Sequence, residues 1–170
     1  KIDQLNDHIF ATVNVGVYRA GFTESQEVYE SAVESLFSSL DWLEELLTEQ
    51  RYLTGSQITE ADWRLFTTLV RFDAVYHGHF KCNIRKLSEY PILSAYLRDL
   101  YQYPGVKETV NLTQIKKHYY ISHKAINPSG IVPAGPVSNF DLPHHRDEHF
   151  ETIAKAGEES TDKKGELLAD

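Results

Sequence analysis

The sequence predicts an all-α protein, a helical bundle followed by an extended C-terminal arm. Several segments place apolar residues at helical spacing between capping residues, proline or glycine, which is the pattern of amphipathic helices. No segment keeps the alternation of apolar and polar residues that is typical of strands. Proline and glycine are concentrated in residues 127–136, so the chain there is expected to lie as an irregular arm over the helices.

The size and charge of the chain limit the classes of protein it can belong to. Its 170 residues, 41% of them hydrophobic, suffice for one compact domain. A formal net charge of −8 argues against nucleic-acid binding, which depends on clustered Lys and Arg. No apolar run approaches the roughly 20 residues that cross a bilayer. Neither nucleic acid nor a membrane is therefore an expected partner.

The first residue and the cysteine content give two further expectations. The chain begins at Lys1 and contains no methionine, so we expect it to be a processed or truncated part of a longer protein. Its one cysteine, Cys82, excludes an intramolecular disulfide and is compatible with a reducing compartment. The cytoplasm is the expected location.

The first predicted helix covers residues 2–18. Gly16 and Gly21 are expected to close it and to let the chain reverse, because glycine adopts turn conformations that other residues avoid. The inward face of this helix carries Leu5, Ile9 and Val13.

The second predicted helix is long, beginning at Thr23 and ending near Gln50. Thr23 and Gln26 fit a capping box, in which two side chains satisfy the free amides of the first turn. The apolar stripe consists of Leu36, Phe37, Leu40, Leu43 and Leu47. This helix is expected to pack antiparallel against the first.

A central, well-buried helix is predicted from Thr59 to about Tyr76. Thr59 is the expected N-cap, and the carboxylate of Asp62 is expected to return a hydrogen bond to the Thr59 amide. The two residues therefore form a structural cap. The buried face carries Leu65, Leu69, Phe72 and Val75.

Three shorter helices are predicted in the second half of the domain. Pro91, at a first-turn position, opens one that ends at Pro104. The other two cover residues 106–110 and 113–120.

The prediction divides the chain into two parts. Residues 1–150 form the helical domain. Residues 151–170 are rich in Glu, Lys, Asp and Ala, and are expected to be an acidic polar tail that is flexible or marginally helical.

Three local sequences carry a resemblance to one family. They are NVGVYRAGF at residues 14–22, LVRFDAVYHGHFKCN at residues 69–83 and HYYISHKAINP at residues 118–128. Together with a long antiparallel helix pair and a capped central helix, they resemble the C-terminal domain of the xi-class glutathione transferases, the glutathionyl-hydroquinone reductases. The resemblance extends over residues 2–149.

The resemblance implies a glutathione transferase C-terminal-like bundle within a two-domain, dimeric enzyme. A thioredoxin-like domain outside this chain would bind the co-substrate glutathione and carry the catalytic cysteine, since no Cys-Pro-aromatic motif occurs here. That cysteine would take the glutathionyl group and release the hydroquinone, and a second glutathione would regenerate it. The chain itself would hold no catalytic residue and would be inactive alone.

The resemblance also places Tyr18 and Tyr119 at the family's substrate-pocket tyrosines, while Tyr76 lies inside one of the matching sequences. Phenols suit a hydroquinone, because each can contact the ring and hydrogen-bond an oxygen. His118 and His123 flank Tyr119 and are candidates for substrate-lining or orienting groups. Packing at a helix end is the alternative for both histidines.

Two other candidates are assigned no chemistry. Cys82 has basic neighbours that would lower a thiol pKa, but a lone cysteine is more often a small buried hydrophobe. His144, His145 and His149 lie in an acidic stretch, and only a helix would put the imidazoles of His145 and His149 on one face. With Pro143 adjacent and no cysteine partner, a solvated loop is favoured and no metal is expected.

The favoured function is therefore the substrate-binding and dimerisation domain of a glutathione-dependent reductase that removes glutathione from glutathionyl-hydroquinones. The expected partners are an aromatic hydroquinone-type small molecule, glutathione and a second copy of the protein. The alternative is a non-catalytic interaction or dimerisation module of the same fold.

Overall fold

Helices make up the framework of the described part of the chain, residues 2–155 of a computed structural model. The α-helices are α1 (Ile2–Ile9), α2 (Gly16–Phe22), α3 (Gln26–Glu49), α4 (Glu60–Arg71), α5 (Pro91–Tyr101) and α6 (Leu112–Ser122). Two π-helical turns (Phe10–Asn14 and Phe72–Tyr76) and two 3-10 turns (Leu87–Glu89 and Lys107–Thr109) join them. Between residues 2 and 155 there is no strand, only an isolated bridge between Tyr52 and Gly55. The predicted all-α class is confirmed.

The core lies between α3, α4 and α5, and α2 packs along α3. The apolar stripes predicted for the second and central helices are buried, and Leu36, Leu65 and Phe72 have no exposed surface. The predicted 113–120 helix is α6. The predicted 106–110 helix is a single 3-10 turn, Lys107–Thr109, within the loop from α5 to α6.

The first helical region does not end at Tyr18, as the glycines predicted. It passes through a π-helical turn and continues as α2 to Phe22, so the chain reverses at residues 23–25. Gly21 serves close packing instead of a turn, because a Cβ atom there would lie 2.3 Å from the ring of Phe80. Its missing side chain lets α2 approach the segment that follows the central helix.

The predicted capping box of Thr23 and Gln26 is wrong. Ser25 is the N-cap of α3, and its hydroxyl accepts a hydrogen bond from the Val28 amide at 3.3 Å. Thr23 has extended backbone, and its hydroxyl accepts from the Ser25 amide at 3.1 Å, so it stabilises the reversal. The Gln26 side chain binds Glu30 instead.

The predicted cap of the central helix is confirmed. Thr59 and Asp62 form a capping box at the start of α4, in which the Thr59 amide donates to the Asp62 carboxylate at 2.8 Å. The Thr59 hydroxyl lies 3.2 Å from the same oxygen. Asp62 is fully buried, so the cap also joins the helix start to the core.

We expect Thr59→Ala to lower the free energy of unfolding by about 1 kcal/mol, because alanine cannot cap the helix. Urea or thermal unfolding of the chain measures the change. Thr113→Ala is the matched control, since Thr113 is exposed in α6 and its replacement should change stability by less than about 0.5 kcal/mol. An unfolding midpoint for Thr59→Ala equal to that of the control would contradict the capping role.

The C-terminal part of the described chain is better anchored than predicted. Residues 123–145 are largely irregular, as expected, but residues 146–155 are helical and cross the predicted boundary at 150. The buried guanidinium of Arg146 donates to the backbone carbonyls of Leu47, Gln50 and Arg51 at 2.6–3.2 Å. It thereby satisfies carbonyls at the C-terminal end of α3. The rest of the predicted tail lies outside the described residues.

The expected solvated loop at His144 is also wrong. The His144 side chain is only 13% exposed, and its Nε2 lies 3.7 Å from the carboxylate of Asp99 on α5. His145 is exposed, as a loop residue would be. The difference arises because Arg146 is buried and its amide donates to His144 Nδ1 at 3.1 Å, which holds the His144 ring beside Asp99.

Within the described residues, none of the helices is both long and apolar enough to span a membrane.

Candidate functional site

Three tyrosine hydroxyls meet on one side of the bundle. The Tyr18 and Tyr119 oxygens lie 2.5 Å apart, and the Tyr76 and Tyr119 oxygens lie 2.9 Å apart. Both separations are hydrogen-bond distances for hydroxyl groups. Residues about a hundred positions apart in the chain therefore form one hydrogen-bonded cluster, with Tyr119 in the middle.

Each tyrosine comes from a different helical element. Tyr18 lies on α2, Tyr76 is the last residue of the second π-helical turn, and Tyr119 lies in the last turns of α6. A π-helical turn inserts one residue into the helical register and so changes the direction of the side chains that follow it. The turn at Phe72–Tyr76 allows the central helix to present Tyr76 towards α6.

The cluster has a buried end and an open end. Tyr76 and Tyr119 are 2% and 6% exposed, whereas Tyr18 is 38% exposed. Phe22, one helical turn after Tyr18, is 49% exposed, and its ring is parallel to that of Tyr18. The open end therefore offers a hydroxyl beside an exposed aromatic surface, which suits a planar ligand with polar substituents.

Phe80 forms the floor of the cluster. Its ring centroid lies 5.2–6.0 Å from those of Tyr18, Tyr76 and Tyr119. The close approach of Gly21 to this ring fixes α2 over it. Phe80 lies in one of the sequences that carry the family resemblance, but its type alone gave no reason to select it.

A pair of histidines borders the tyrosines. His79 Nε2 and His123 Nδ1 lie 3.0 Å apart, so one ring donates a hydrogen bond to the other. Burial, with smaller contributions from His123 and Lys81, lowers the pKa of His79 to about 4. Burial, and then His118, lowers the pKa of His123. At neutral pH the His79 ring is therefore uncharged.

Both predicted histidines contact Tyr119, but His123 is half-buried and His118 is exposed. The His123 ring packs edge to face on Tyr119 and on Phe22, at centroid distances of 5.5 Å and 4.9 Å. The His118 ring contacts Tyr119 edge to face at 5.3 Å, but the residue is exposed. His79 was not selected from the sequence, because only its contact with His123, 44 residues later, identifies it.

Burial also controls the ionisation of the inner tyrosines. It raises the pKa of Tyr76 well above its ordinary value, and the hydrogen bond with Tyr119 adds to the increase. Burial, followed by the hydrogen bond with Tyr18, raises the pKa of Tyr119 to about 12. Both groups are therefore neutral phenols at physiological pH, able to donate and accept hydrogen bonds.

Cys82 has the properties of a structural residue. Its side chain is fully buried, and its sulfur lies 4.0 Å from the Val17 carbonyl oxygen. Burial raises the pKa of the thiol to about 12, so the reactive thiolate is scarcely populated at neutral pH. The predicted structural role agrees with this environment.

An apolar groove of about 430 Å³ runs along α4, lined in part by Trp63, Val70 and Arg71. Arg71 is also close enough to Tyr119 for its positive charge to oppose the increase in that phenol's pKa.

In residues 2–155, no three His, Cys, Asp or Glu side chains are grouped so that they could hold a metal ion.

Comparison with known proteins decides the family. Residues 26–99 match the family described as glutathione S-transferase, C-terminal domain. The chain is 57% identical over 150 residues to the glutathionyl-hydroquinone reductase YqjG of Escherichia coli, a match that covers 88% of this chain and 46% of YqjG. It is 54% identical over 136 residues to the glutathionyl-hydroquinone reductase PcpF of Sphingobium chlorophenolicum, covering 80% of this chain and 44% of PcpF.

Comparison with solved structures indicates the same family. The glutathione-bound structure of YqjG superposes with a TM-score of 0.85 at 57% identity, covering 86% of this chain and 48% of that one. The xi-class glutathione transferase of Natrialba magadii gives a TM-score of 0.86 at 51% identity, and the match covers 87% of this chain and 45% of that one. This chain contains the C-terminal helical domain of an xi-class glutathione transferase. It spans about half the length of the curated relatives it matches.

In this xi-class domain, the tyrosine cluster is built from all three of the sequences on which the resemblance was based. Tyr18 comes from the first, Tyr76 from the second and Tyr119 from the third. Segments far apart in the chain thus converge on one surface. The open Tyr18 end of this surface is the candidate ligand site.

Proposed function

We propose that this chain is the hydroquinone-binding domain of a glutathione-dependent reductase that removes glutathione from glutathionyl-hydroquinones. The observation that carries the proposal is the hydrogen-bonded pair of Tyr18 and Tyr119 beside the exposed ring of Phe22. This surface offers an aromatic contact and a phenol within one site. Relatives named glutathionyl-hydroquinone reductase support the choice of substrate class.

In the proposed reaction, the nucleophile is a cysteine thiolate of a thioredoxin-like domain in the same protein. It attacks the glutathionyl sulfur of the keto tautomer of the substrate, so that a sulfur-sulfur bond forms and the carbon-sulfur bond breaks. The electron pair of the broken bond passes into the ring and onto a ring oxygen, which yields the hydroquinone after protonation. A second glutathione thiolate then attacks the mixed disulfide and releases glutathione disulfide.

The tyrosine cluster contributes positioning and charge stabilisation in this scheme. A phenol that donates to the ring oxygen stabilises the negative charge developing there as the carbon-sulfur bond breaks. The aromatic surface holds the ring so that its sulfur faces the attacking thiolate. Tyr18 is the group that touches the substrate, whereas the buried Tyr76 lies behind Tyr119.

The environment of Cys82 supports the proposal that the reactive thiol lies in another domain. A covalent catalyst requires an accessible, activated nucleophile, and this thiol is buried with a raised pKa. We therefore propose that glutathione binds mainly outside this chain. We further propose a cytoplasmic homodimer, on the basis of the family resemblance.

We expect the chain alone to show no glutathione-dependent turnover of a glutathionyl-hydroquinone, and the full-length protein to turn it over. Chromatographic measurement of hydroquinone and glutathione disulfide tests both expectations. Cys82→Ser in the full-length protein is the control and should preserve turnover, because the Cys82 thiol takes no part.

Two outcomes would contradict the proposal. Turnover by the chain alone that is lost on Cys82→Ser would identify Cys82 as the nucleophile. A full-length protein that binds no hydroquinone and turns over no glutathionyl conjugate would favour the alternative of a non-catalytic interaction or dimerisation module.

A further inference from the structure

We infer that the three tyrosine hydroxyls form a one-way hydrogen-bond relay. Tyr76 donates to Tyr119, Tyr119 donates to Tyr18, and the proton of Tyr18 is left for the ligand. The relay itself is a property of this chain, while its role in hydroquinone release rests on the proposed function. It makes Tyr76 a positioning residue that acts through Tyr119, and it makes Tyr18 the donor to the substrate oxygen.

The argument begins with a count of protons. Three neutral hydroxyls carry three protons, and the two hydrogen bonds at 2.5 Å and 2.9 Å use two of them. Tyr119 is 6% exposed, so its own proton also needs an acceptor, and it donates either outwards to Tyr18 or inwards to Tyr76. The direction it takes decides which end of the cluster keeps the third proton.

Burial decides between the two directions. The Tyr76 side chain is 2% exposed, its ring packs with the rings of Phe72 and Phe80, and its hydroxyl is hydrogen-bonded to Tyr119. If Tyr119 donated inwards, the proton of Tyr76 would be buried without an acceptor. Leaving a buried donor unsatisfied disfavours that arrangement by a factor of roughly ten or more.

The outward direction has no such penalty. The open end of the relay is Tyr18, whose side chain is 38% exposed, so its proton can bind water or a ligand. Every hydroxyl proton is then satisfied. Successive hydrogen bonds in one direction also polarise one another, which strengthens the last donor of the series.

The polarity of the relay defines what the open end recognises. It presents a donor, so its preferred partner is an oxygen with lone pairs and negative charge, such as the phenolate oxygen of a departing hydroquinone. In the inward direction Tyr18 would instead donate to Tyr119 and would offer the ligand only an acceptor. The buried phenol thus sets the hydrogen-bonding character of an exposed one.

Neutron diffraction from crystals of this chain exchanged into D₂O tests the direction directly, because deuterium atoms are visible to neutrons. We expect the Tyr76 deuteron on the line to the Tyr119 oxygen and the Tyr119 deuteron on the line to the Tyr18 oxygen. A Tyr18 deuteron pointing at Tyr119 would overturn the relay. This result is independent of any enzyme activity, so it separates failure of the relay from failure of the proposed function.

Kinetics of the full-length protein test the positioning role. We expect Tyr76→Phe to lower the rate constant of hydroquinone release roughly 3- to 10-fold, because Tyr119 loses the donor that polarises its own hydrogen bond to Tyr18. In a Tyr18→Phe background the same change should have no further effect, since Tyr76 acts only through the proton of Tyr18. Multiplicative losses in the double variant would overturn the positioning role.

A matched control is available at Tyr90. Its buried ring also carries a hydroxyl that donates to a single side chain, Asp41, at 2.9 Å, but it lies outside the tyrosine cluster. Tyr90→Phe should leave the rate constant of hydroquinone release unchanged. A loss as large as that of Tyr76→Phe would show that any buried tyrosine has this effect, and would overturn the assignment.

Discussion

Replacing Tyr18 or Tyr119 by phenylalanine is expected to lower the rate constant of hydroquinone release in the full-length protein roughly 5- to 150-fold. The range corresponds to the loss of one hydrogen bond in the transition state, about 1 to 3 kcal/mol. Both variants keep the aromatic ring, so the packing against Phe80 and the fold should survive. Stopped-flow measurement of hydroquinone release under single-turnover conditions isolates the step.

The expected pattern across kinetic constants distinguishes this explanation from a general loss of structure. The affinity for glutathione should barely change, because glutathione is proposed to bind mainly outside this domain. Tyr90→Phe serves as the control, since the hydroxyl of the buried Tyr90 donates to Asp41, outside the cluster. Unaltered turnover in both Tyr18→Phe and Tyr119→Phe would remove the substrate role and leave only the fold.

The helices were predictable where local chemistry determines them. The apolar stripe of α3 and the Thr59 and Asp62 cap of α4 depend on residues within one or two turns of one another. Such contacts form in almost any tertiary arrangement. For this reason the spacing of residues in the sequence was enough to place both helices.

Elements that depend on distant partners were not predictable in this way. Gly21 resembles a turn residue until the ring of Phe80, far along the chain, is seen to occupy the space of its side chain. Arg146 resembles one more charged residue in an acidic stretch, yet it is buried against carbonyls about a hundred positions earlier. Neither role has a local signal in the sequence.

The candidate site likewise contains residues that the sequence could indicate and residues that only the packed structure identifies. The sequence pointed to Tyr18 and Tyr119 through a family resemblance, and the structure brings their hydroxyls to 2.5 Å. Spacing could not indicate that Tyr76 lies behind them at 2% exposure, or that His79 pairs with His123. The hydrogen-bond direction depends on this burial gradient, so it required the packed structure.

The largest stability effect is expected for Asp62→Ala, which should lower the free energy of unfolding by about 4 kcal/mol. For a domain of this size that loss corresponds to a decrease in Tm of roughly 8 to 16 °C. Asp62 is fully buried, and one carboxylate oxygen accepts from the Leu53 amide at 2.9 Å and from the Tyr96 hydroxyl at 2.8 Å. The other oxygen accepts from Thr59.

The effect is large because alanine leaves several hydrogen-bond donors without an acceptor at once. The Leu53 amide and the Tyr96 hydroxyl would be buried without an acceptor, and unsatisfied buried donors are more destabilising than absent ones. Tyr96→Phe removes one donor together with its need for an acceptor, so it should lower the free energy of unfolding by only about 1 to 2 kcal/mol.

Asp7→Ala, at an exposed position of α1, is the control and should change stability by less than about 0.5 kcal/mol. Urea unfolding of the three variants measures their losses in free energy of unfolding and so ranks them directly. An Asp62→Ala loss no larger than that of Tyr96→Phe would mean that water or another group replaces the carboxylate, and that the buried cap is not what joins α4 to the core.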